Sequence, residues 1–226
     1  MEQETALTPR IEEYLESILN MEMESKKVLA ARLAERLDLT PPTVAATLSR
    51  MKRDGLIVIG RQKAIGFTEK GRKMAFSVVR RHRLAERLLV DVLHLPWHLA
   101  HEEACLMEHG ISAMVEERLY ETLGRPATCP HGNPIPVGDY MPEVTGVTLD
   151  TVPQGKTIIV QRIAEESVRH RDFMEFLWKN GIVPGASFLV KEVATHAGTI
   201  TLARGDLQVS LGTSPAGVIW VSPSSE

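Results

Sequence analysis

His101, Cys105, Glu108 and His109 stand at spacings i, i+4, i+7 and i+8. At about 100° per residue, a helix would project all four from one face. Imidazole, thiolate and carboxylate are the donor types that hold Fe, Mn, Co, Ni or Zn. His82 and Glu86 stand at i, i+4, a spacing that lets two side chains of one helix bind one ion. Glu13 and Glu16, at i, i+3, read by themselves as a solvated acidic face. Cys129-Pro130-His131 is either a second ligand pair or a thiol and an imidazole that merely pack together. A metallohydrolase needs an open metal position, a cleft and a base beside the bound water. No His-Glu-x-x-His motif is present, since His101 is followed by Glu102 and then Cys105. The donors therefore point to a held ion rather than to an enzyme.

These residues need elements to position them. Thr8-Pro9 predicts a helix start, with a capping hydroxyl and proline at the first helical position. Ile11, Tyr14, Leu15, Ile18 and Leu19 continue at helical period, leaving Glu12, Glu13 and Glu16 on other faces. A short helix is expected over 27–37, then a turn at Asp38-Leu39. Thr40-Pro41 caps a third helix running to about Arg53, on which Val44, Leu48 and Met51 repeat. Strands over 56–59 and 65–67 flank a turn containing Arg61, Gln62 and Lys63, and Thr68 caps a long helix reaching 93. Helix, turn, helix and a hairpin with a basic tip is the order of a winged helix-turn-helix.

Charge supports that reading. Lys26 to Arg83 carries 15 Lys or Arg against four acids, a net of +11, while the rest of the 226 residues nets −14. One segment is built to meet a polyanion. Thr40, Pro42 and Thr43 are placed to meet base edges, and Arg50, Lys52, Arg53, Arg61 and Lys63 to meet phosphates. The expected partner is double-stranded DNA.

After a break at Leu95-Pro96-Trp97, helices are expected over 98–108 and 112–123. Ile111, Met114, Val115 and Leu119 stripe the second; a core face and a dimer face look alike in pattern, and pairing on DNA favours the dimer. Residues 124–150 are rich in turns. Beyond Gly155, short alternating segments at 157–163, 187–193, 199–203, 208–211 and 218–221, with a helix over 172–179, read as a small β-barrel. The expected class is mainly α with a small β domain: a winged helix-turn-helix over 1–75, a helical metal-binding and dimerisation domain over 76–143, a linker over 144–155 and a barrel over 156–226. The opening Glu2, Gln3 and Glu4 do not read as a secretory signal. No window holds the run of apolar residues that a membrane helix needs. Two cysteines are too few for a disulfide framework, so a cytoplasmic protein is expected.

Several stretches resemble the diphtheria toxin repressor family: Tyr14-Leu15, Ala34-Glu35-Arg36-Leu37 to Pro42-Thr43-Val44, and Arg50 to Leu56. So do Arg81 to Leu89, His101 to His109, and Gly132-Asn133-Pro134-Ile135-Pro136. The resemblance covers nearly the whole chain and is weakest after Gly155. It implies a homodimeric repressor with a winged-helix domain, a dimerisation domain carrying two metal sites, and an SH3-like C-terminal domain. By position, it implies a regulatory site of Glu13, Cys105, Glu108 and His109, with Glu16 and His82 as further candidates from the manganese branch. An ancillary site would draw on His82, Glu86 and His101, with Glu165 from the C-terminal domain.

The departures matter. The iron branch typically has methionine at Glu13, and the manganese branch typically has a carboxylate at Cys105, so the site is a hybrid. Cys129 and His131 look like a ligand pair of some manganese-responsive relatives. Val168 stands where the iron branch offers an amide ligand, and Ala46 replaces a glutamine on the recognition helix. The implied co-repressor is Fe(II) or Mn(II), the thiolate leaning to iron. The remaining alternative is a metal-independent winged-helix regulator that senses an organic ligand.

Overall fold

The computed structural model describes residues 8–168 and 170–223. Glu2, Gln3 and Glu4 and the side chain of Val168 lie outside what is described. Helix α1 (Pro9–Met23) begins at proline and buries Ile11, Tyr14, Leu15, Ile18 and Leu19. Helices α2 (Ala30–Arg36) and α3 (Pro41–Arg53) follow, then an antiparallel hairpin of β1 (Ile57–Ile59) and β2 (Ile65–Phe67). The helix-turn-helix and hairpin expected from sequence are therefore present. At the hairpin tip Gln62 and Lys63 both take positive φ, at 56° and 57°. The expected hydroxyl caps fail at two helices: neither Thr8 nor Thr40 makes a side-chain cap, and Thr40 Oγ1 instead lies 2.8 Å from Thr43 Oγ1. Thr68 does cap, accepting from Gly71 N.

Helix α4 (Glu69–Arg87) is shared between two cores. Its first half contributes Ala75, Phe76 and Val79 to the core of α1, α2, α3 and the hairpin. Its second half packs Ala85, with Leu89 beyond it, against Ala104 and Ile111. A π-turn over Leu88–Val92 ends the helix where sequence predicts five or six more helical residues. Helix α5 (Ala100–Met107) lies between 3-10 turns at Trp97–Leu99 and Glu108–Gly110. Helix α6 (Ala113–Thr122) buries none of its own residues.

The C-terminal part is a six-stranded sheet in the order β3-β8-β4-β5-β6-β7, all neighbours antiparallel. Its strands are β3 (Val147–Thr148), β4 (Thr157–Ile163), β5 (Ser187–Ala194), β6 (Thr199–Arg204), β7 (Leu207–Gly212) and β8 (Ile219–Pro223). Helices α7 (Glu165–Val168), α8 (Arg171–Lys179) and α9 (Thr213–Ala216) punctuate it. Alternation along β4, β5, β6 and β7 sends Ile158, Val160, Phe188, Val190, Ile200, Leu202, Val209 and Leu211 into one core, which also takes Trp97. The expected barrel is not closed: the ladder ends at β3 and β7, which do not pair with each other. Residues 147–149, inside the expected linker, supply strand β3 and the buried Leu149.

Candidate metal centre

Three elements meet at the expected donors. Helix α4 offers His82 and Glu86, both fully buried because they share the helix face that carries Val79 and Arg83. Helix α5 and the turn after it offer His101, Cys105, Glu108 and His109. Helix α1 offers Glu13 and Glu16. A cavity of about 110 Å³ is lined by Glu13, Glu16, His101, Cys105, Glu108, His109 and Glu165. Glu13 itself is an exposed residue at its rim. Because Glu108 and His109 sit on a 3-10 turn and not on α5, the four-donor stripe expected from sequence is tightened at its end.

The ring of His82 faces two ways. Its Nδ1 lies 2.6 Å from Glu108 Oε2. Its Nε2 lies 3.0 Å from His101 Nδ1, 3.3 Å from Glu86 Oε1 and 3.8 Å from Glu165 Oε1. His101 is likewise two-sided, with Nε2 3.8 Å from Cys105 Sγ. Ligand atoms within 4.8 Å of one another form four overlapping groups: Glu16–His82–Glu108, His82–His101–Cys105, His82–Glu86–His101–Glu165 and Glu86–Cys129–His131. Glu13 and His109 are in none of them.

His131 and Cys129 reach α4 from the turn-rich loop. His131 Nδ1 is 3.1 Å from Glu86 Oε1, and its Nε2 is 3.1 Å from the Trp97 carbonyl oxygen. A carbonyl and an ionised carboxylate both only accept, so each ring nitrogen has an acceptor opposite it, and Nδ1 is the atom that faces the Glu86 carboxylate. The Trp97 ring packs edge-on against the imidazole and its Nε1 donates to Pro130 O at 2.9 Å.

Sequence reasoning passed over several residues. Glu12, placed by periodicity on an outer face, is buried; its Oε2 takes a hydrogen bond from His109 Nδ1 at 2.5 Å, and its Oε1 one from Arg81 at 2.7 Å. Arg83 is almost fully buried and donates to Asn20 of α1 at 3.1 Å, to the Pro134 carbonyl, and to Glu165 Oε2 at 3.4 Å. The Arg81-His82-Arg83 run signalled charge and gave no sign that Arg83 turns inward beside His82.

Electrostatics follow from this crowding. Burial pushes the His82 imidazole down, but the Glu16 and Glu86 carboxylates outweigh it and hold its pKa well above the usual histidine value. Burial also acts downward on His101, and hydrogen bonds with Cys105 and Glu86 carry it up to about 10. Burial raises the Cys105 thiol, yet bonds to His101 and His82 bring it below its ordinary value. Glu16 is raised by burial, with the Glu108 carboxylate adding to the effect. Burial also acts upward on Glu86, but His131 and His82 draw it well below the carboxylate range. Cys129 is pushed well up, by burial first and by Glu86 second. Glu86 Oε2 and Glu165 Oε1 are buried with no hydrogen-bond partner among the described residues. The buried carboxylates and the Cys105 thiol thus call for positive charge, and Arg83 together with the raised His82–His101 pair supplies part of it. A divalent cation suits the same demand, and the oxygen, nitrogen and sulfur donors fit Fe(II) or Mn(II).

On the winged helix, Thr40, Pro42, Thr43, Arg50, Arg53, Arg61 and Lys63 are all exposed. Arg50 and Arg53 both lean on Asp54, at 3.7 and 3.1 Å. Lys27 Nζ donates to Gln62 Oε1 at 2.6 Å, tying the hairpin tip to the start of the helix-turn-helix.

Comparison with known proteins gives three family matches: "Iron dependent repressor, N-terminal DNA binding domain" over residues 6–65, "Iron dependent repressor, metal binding and dimerisation domain" over 68–137, and "FeoA domain" over 147–223. The iron-dependent repressor IdeR of Mycobacterium tuberculosis is 42% identical over 206 residues, 87% of this chain and 89% of that one. The diphtheria toxin repressor of Corynebacterium efficiens is 36% identical over 214 residues, 91% of each. A solved structure of a manganese-dependent transcriptional repressor in complex with manganese superposes with a TM-score of 0.86 at 30% identity, covering 95% of this chain and all of that one. These likenesses give no support to a metal-independent regulator. The chain belongs to the iron-dependent repressor family, a family of DNA-binding regulators rather than enzymes.

Proposed function

We propose that this chain represses metal homeostasis genes by binding operator DNA as a homodimer when Fe(II) or Mn(II) is held between α1, α4 and α5. One observation carries the reading: carboxylates of the winged-helix domain, Glu13 and Glu16, line the same small cavity as His101, Cys105, Glu108 and His109 of the neighbouring helices. A first site would use Glu13, Glu16, His82, Cys105, Glu108 and His109. A second would use Glu86, His101, Cys129, His131 and Glu165, with the His82 ring between them.

When bound, the ion supplies positive charge that neutralises carboxylates from two domains at once. The chain's own residues do the rest. Glu16 on α1 and Glu108 after α5 lie within 4.8 Å of the His82 ring, so once that ring gives up its extra proton their mutual repulsion resists closing these elements together. Relieving it favours one placement of α1, and with it of α3. Thr40, Pro42 and Thr43 then meet base edges, and Arg50, Arg53, Arg61 and Lys63 meet phosphates.

The division into domains over 1–75, 76–143 and 156–226 belongs to this reading, as does the SH3-like character of the last. Exposed Leu106, Met114 and Val115 on α5 and α6 support dimerisation through that side. No described helix is long and apolar enough to cross a membrane, and a cytoplasmic location is part of the proposal. The test is a mobility shift on duplexes selected from a random pool by Mn(II)-loaded protein. Chelated protein is expected to leave them free, and adding Mn(II) or anaerobic Fe(II) to shift them. A full shift by chelated protein would contradict the proposal.

A further inference from the structure

The loop that carries Cys129 and His131 is held from the C-terminal sheet. Ile163 N at the end of β4 donates to the His131 carbonyl at 2.9 Å. Two residues along the loop, Asn133 Nδ2 donates to Ile163 O at 3.0 Å. Asn133 Oδ1 in turn accepts from Arg162 Nη1 at 3.1 Å. Between them Gly132 has φ +86°, and a Cβ there would lie 2.1 Å from the Gln161 carbonyl oxygen, so only glycine lets the loop lie this close to β4. The β4–β8 register shifts between Val160 and Arg162, at the point where the loop docks.

Arg162 is only 2% exposed. Its guanidinium lies over the Trp220 ring, 4.3 Å from the centroid, and its Nε and Nη2 have no hydrogen-bond partner among the described residues. Stacking fixes the plane of the guanidinium and leaves Asn133 as its one hydrogen-bonded contact among the described residues. A buried charge so placed has a steep cost unless the contact it makes is kept.

We infer that Asn133 and Arg162 are positioning residues for the Glu86–Cys129–His131 cluster, so that docking of the C-terminal sheet and loading of that cluster are two readings of one equilibrium. The inference rests on the second site proposed above. The cluster takes one donor from α4 and two from a loop whose backbone is fixed by β4. A loop released from β4 loses the alignment that points His131 Nδ1 at Glu86. Ordering of the loop by a bound ion should, reciprocally, strengthen its bonds to β4.

Co(II), whose thiolate complexes absorb in the near ultraviolet, reads this directly. In full-length protein bearing Cys105→Ser, the sulfur-to-cobalt band reports Cys129 alone. Asn133→Ala and Arg162→Leu in that background are expected to weaken Co(II) binding at the band about 10- to 100-fold, as loss of an outer-sphere partner typically does. Arg162→Lys, which keeps a donor and a charge, should recover most of it. Undiminished affinity in Asn133→Ala would overturn the inference. No band in the Cys105→Ser parent would instead overturn the second site itself. Amide exchange of wild-type protein keeps the test open should the variants fold poorly. Mn(II) is expected to slow exchange at Ile163 N–H, and unchanged exchange at saturating Mn(II) would count against the coupling.

Discussion

Glu12 and His109 are joined at 2.5 Å across the boundary between the winged helix and the dimerisation helices, the carboxylate accepting from Nδ1. The other nitrogen of the ring, Nε2, is 3.7 Å from Glu108 Oε1. His109 can therefore offer Nε2 to an ion while Glu12 holds its tautomer, the carboxylate–histidine arrangement common around bound metals.

Removing that hold should weaken the first site without touching a ligand. In Glu12→Ala, Mn(II) affinity is expected to fall about 10- to 100-fold, measured by titration with the free ion followed by electron paramagnetic resonance. Glu12→Gln should fall less, since its side-chain oxygen can still accept. Equal affinities in all three proteins would show that Glu12 only packs.

His82 should matter to both sites. With one nitrogen 2.6 Å from Glu108 and the other 3.3 Å from Glu86, its loss removes a donor from each. His82→Ala is expected to lower bound metal per chain at fixed free Mn(II) more than Cys129→Ser does, by equilibrium dialysis with elemental analysis. If only one of the two sites responds, the ring is not shared.

Metal uptake should expel protons. The carboxylates around His82 and the bonds of His101 to Cys105 and Glu86 raise both imidazoles, and with His82 Nε2 only 3.0 Å from His101 Nδ1 the pair shares a proton that must leave before both lone pairs can bind. Affinity is thus expected to rise with pH between 6 and 8. Calorimetry in buffers of different ionisation enthalpy should show net proton release. Binding that neither strengthens with pH nor releases protons would contradict these charge states.

Much of this was legible in the sequence, for reasons that differ by element. The helical periods of α1 and α3, the proline starts and the alternation along β4 to β7 are local signals, and the structure follows them closely. Donor types at His82, Glu86, His101 and Cys105 were visible because helical spacing alone places them on a face. Glu12 was not, because its inward turn depends on Arg81 and His109 lying opposite, a fact of helix packing. The roles of Trp97, Asn133 and Arg162 depend on a loop meeting a strand some 30 residues away, which no local pattern records. The π-turn at Leu88–Val92 and the early end of α4 were also invisible, since the apolar pattern runs straight through them.

Dimerisation has a surface signature. Met114 and Leu106 are 78% and 77% exposed, and α6 buries none of its residues. Met114→Glu is expected to leave the fold intact and to shift sedimentation from dimer to monomer, with loss of DNA binding at concentrations where the wild type binds. A Met114→Glu protein that remains dimeric would move the interface elsewhere.

Contacts with phosphate should register as salt dependence. Arg61→Ala and Lys63→Ala, at the exposed hairpin tip, should each weaken binding similarly across sequences and reduce the log–log salt slope by about 1. Fluorescence anisotropy from 50 to 200 mM salt checks this, and an unchanged slope would take the tip off the DNA.

Under the proposed function, an ion held between α1, α4 and α5 and DNA held by α3 favour the same arrangement. Titrating Mn(II) into the dimer with and without a selected operator duplex tests it most directly. Reciprocity predicts tighter metal binding in the presence of DNA, by about 5- to 150-fold for a coupling of 1–3 kcal/mol. Superimposable isotherms would mean that metal and DNA bind independently, contrary to the proposed function.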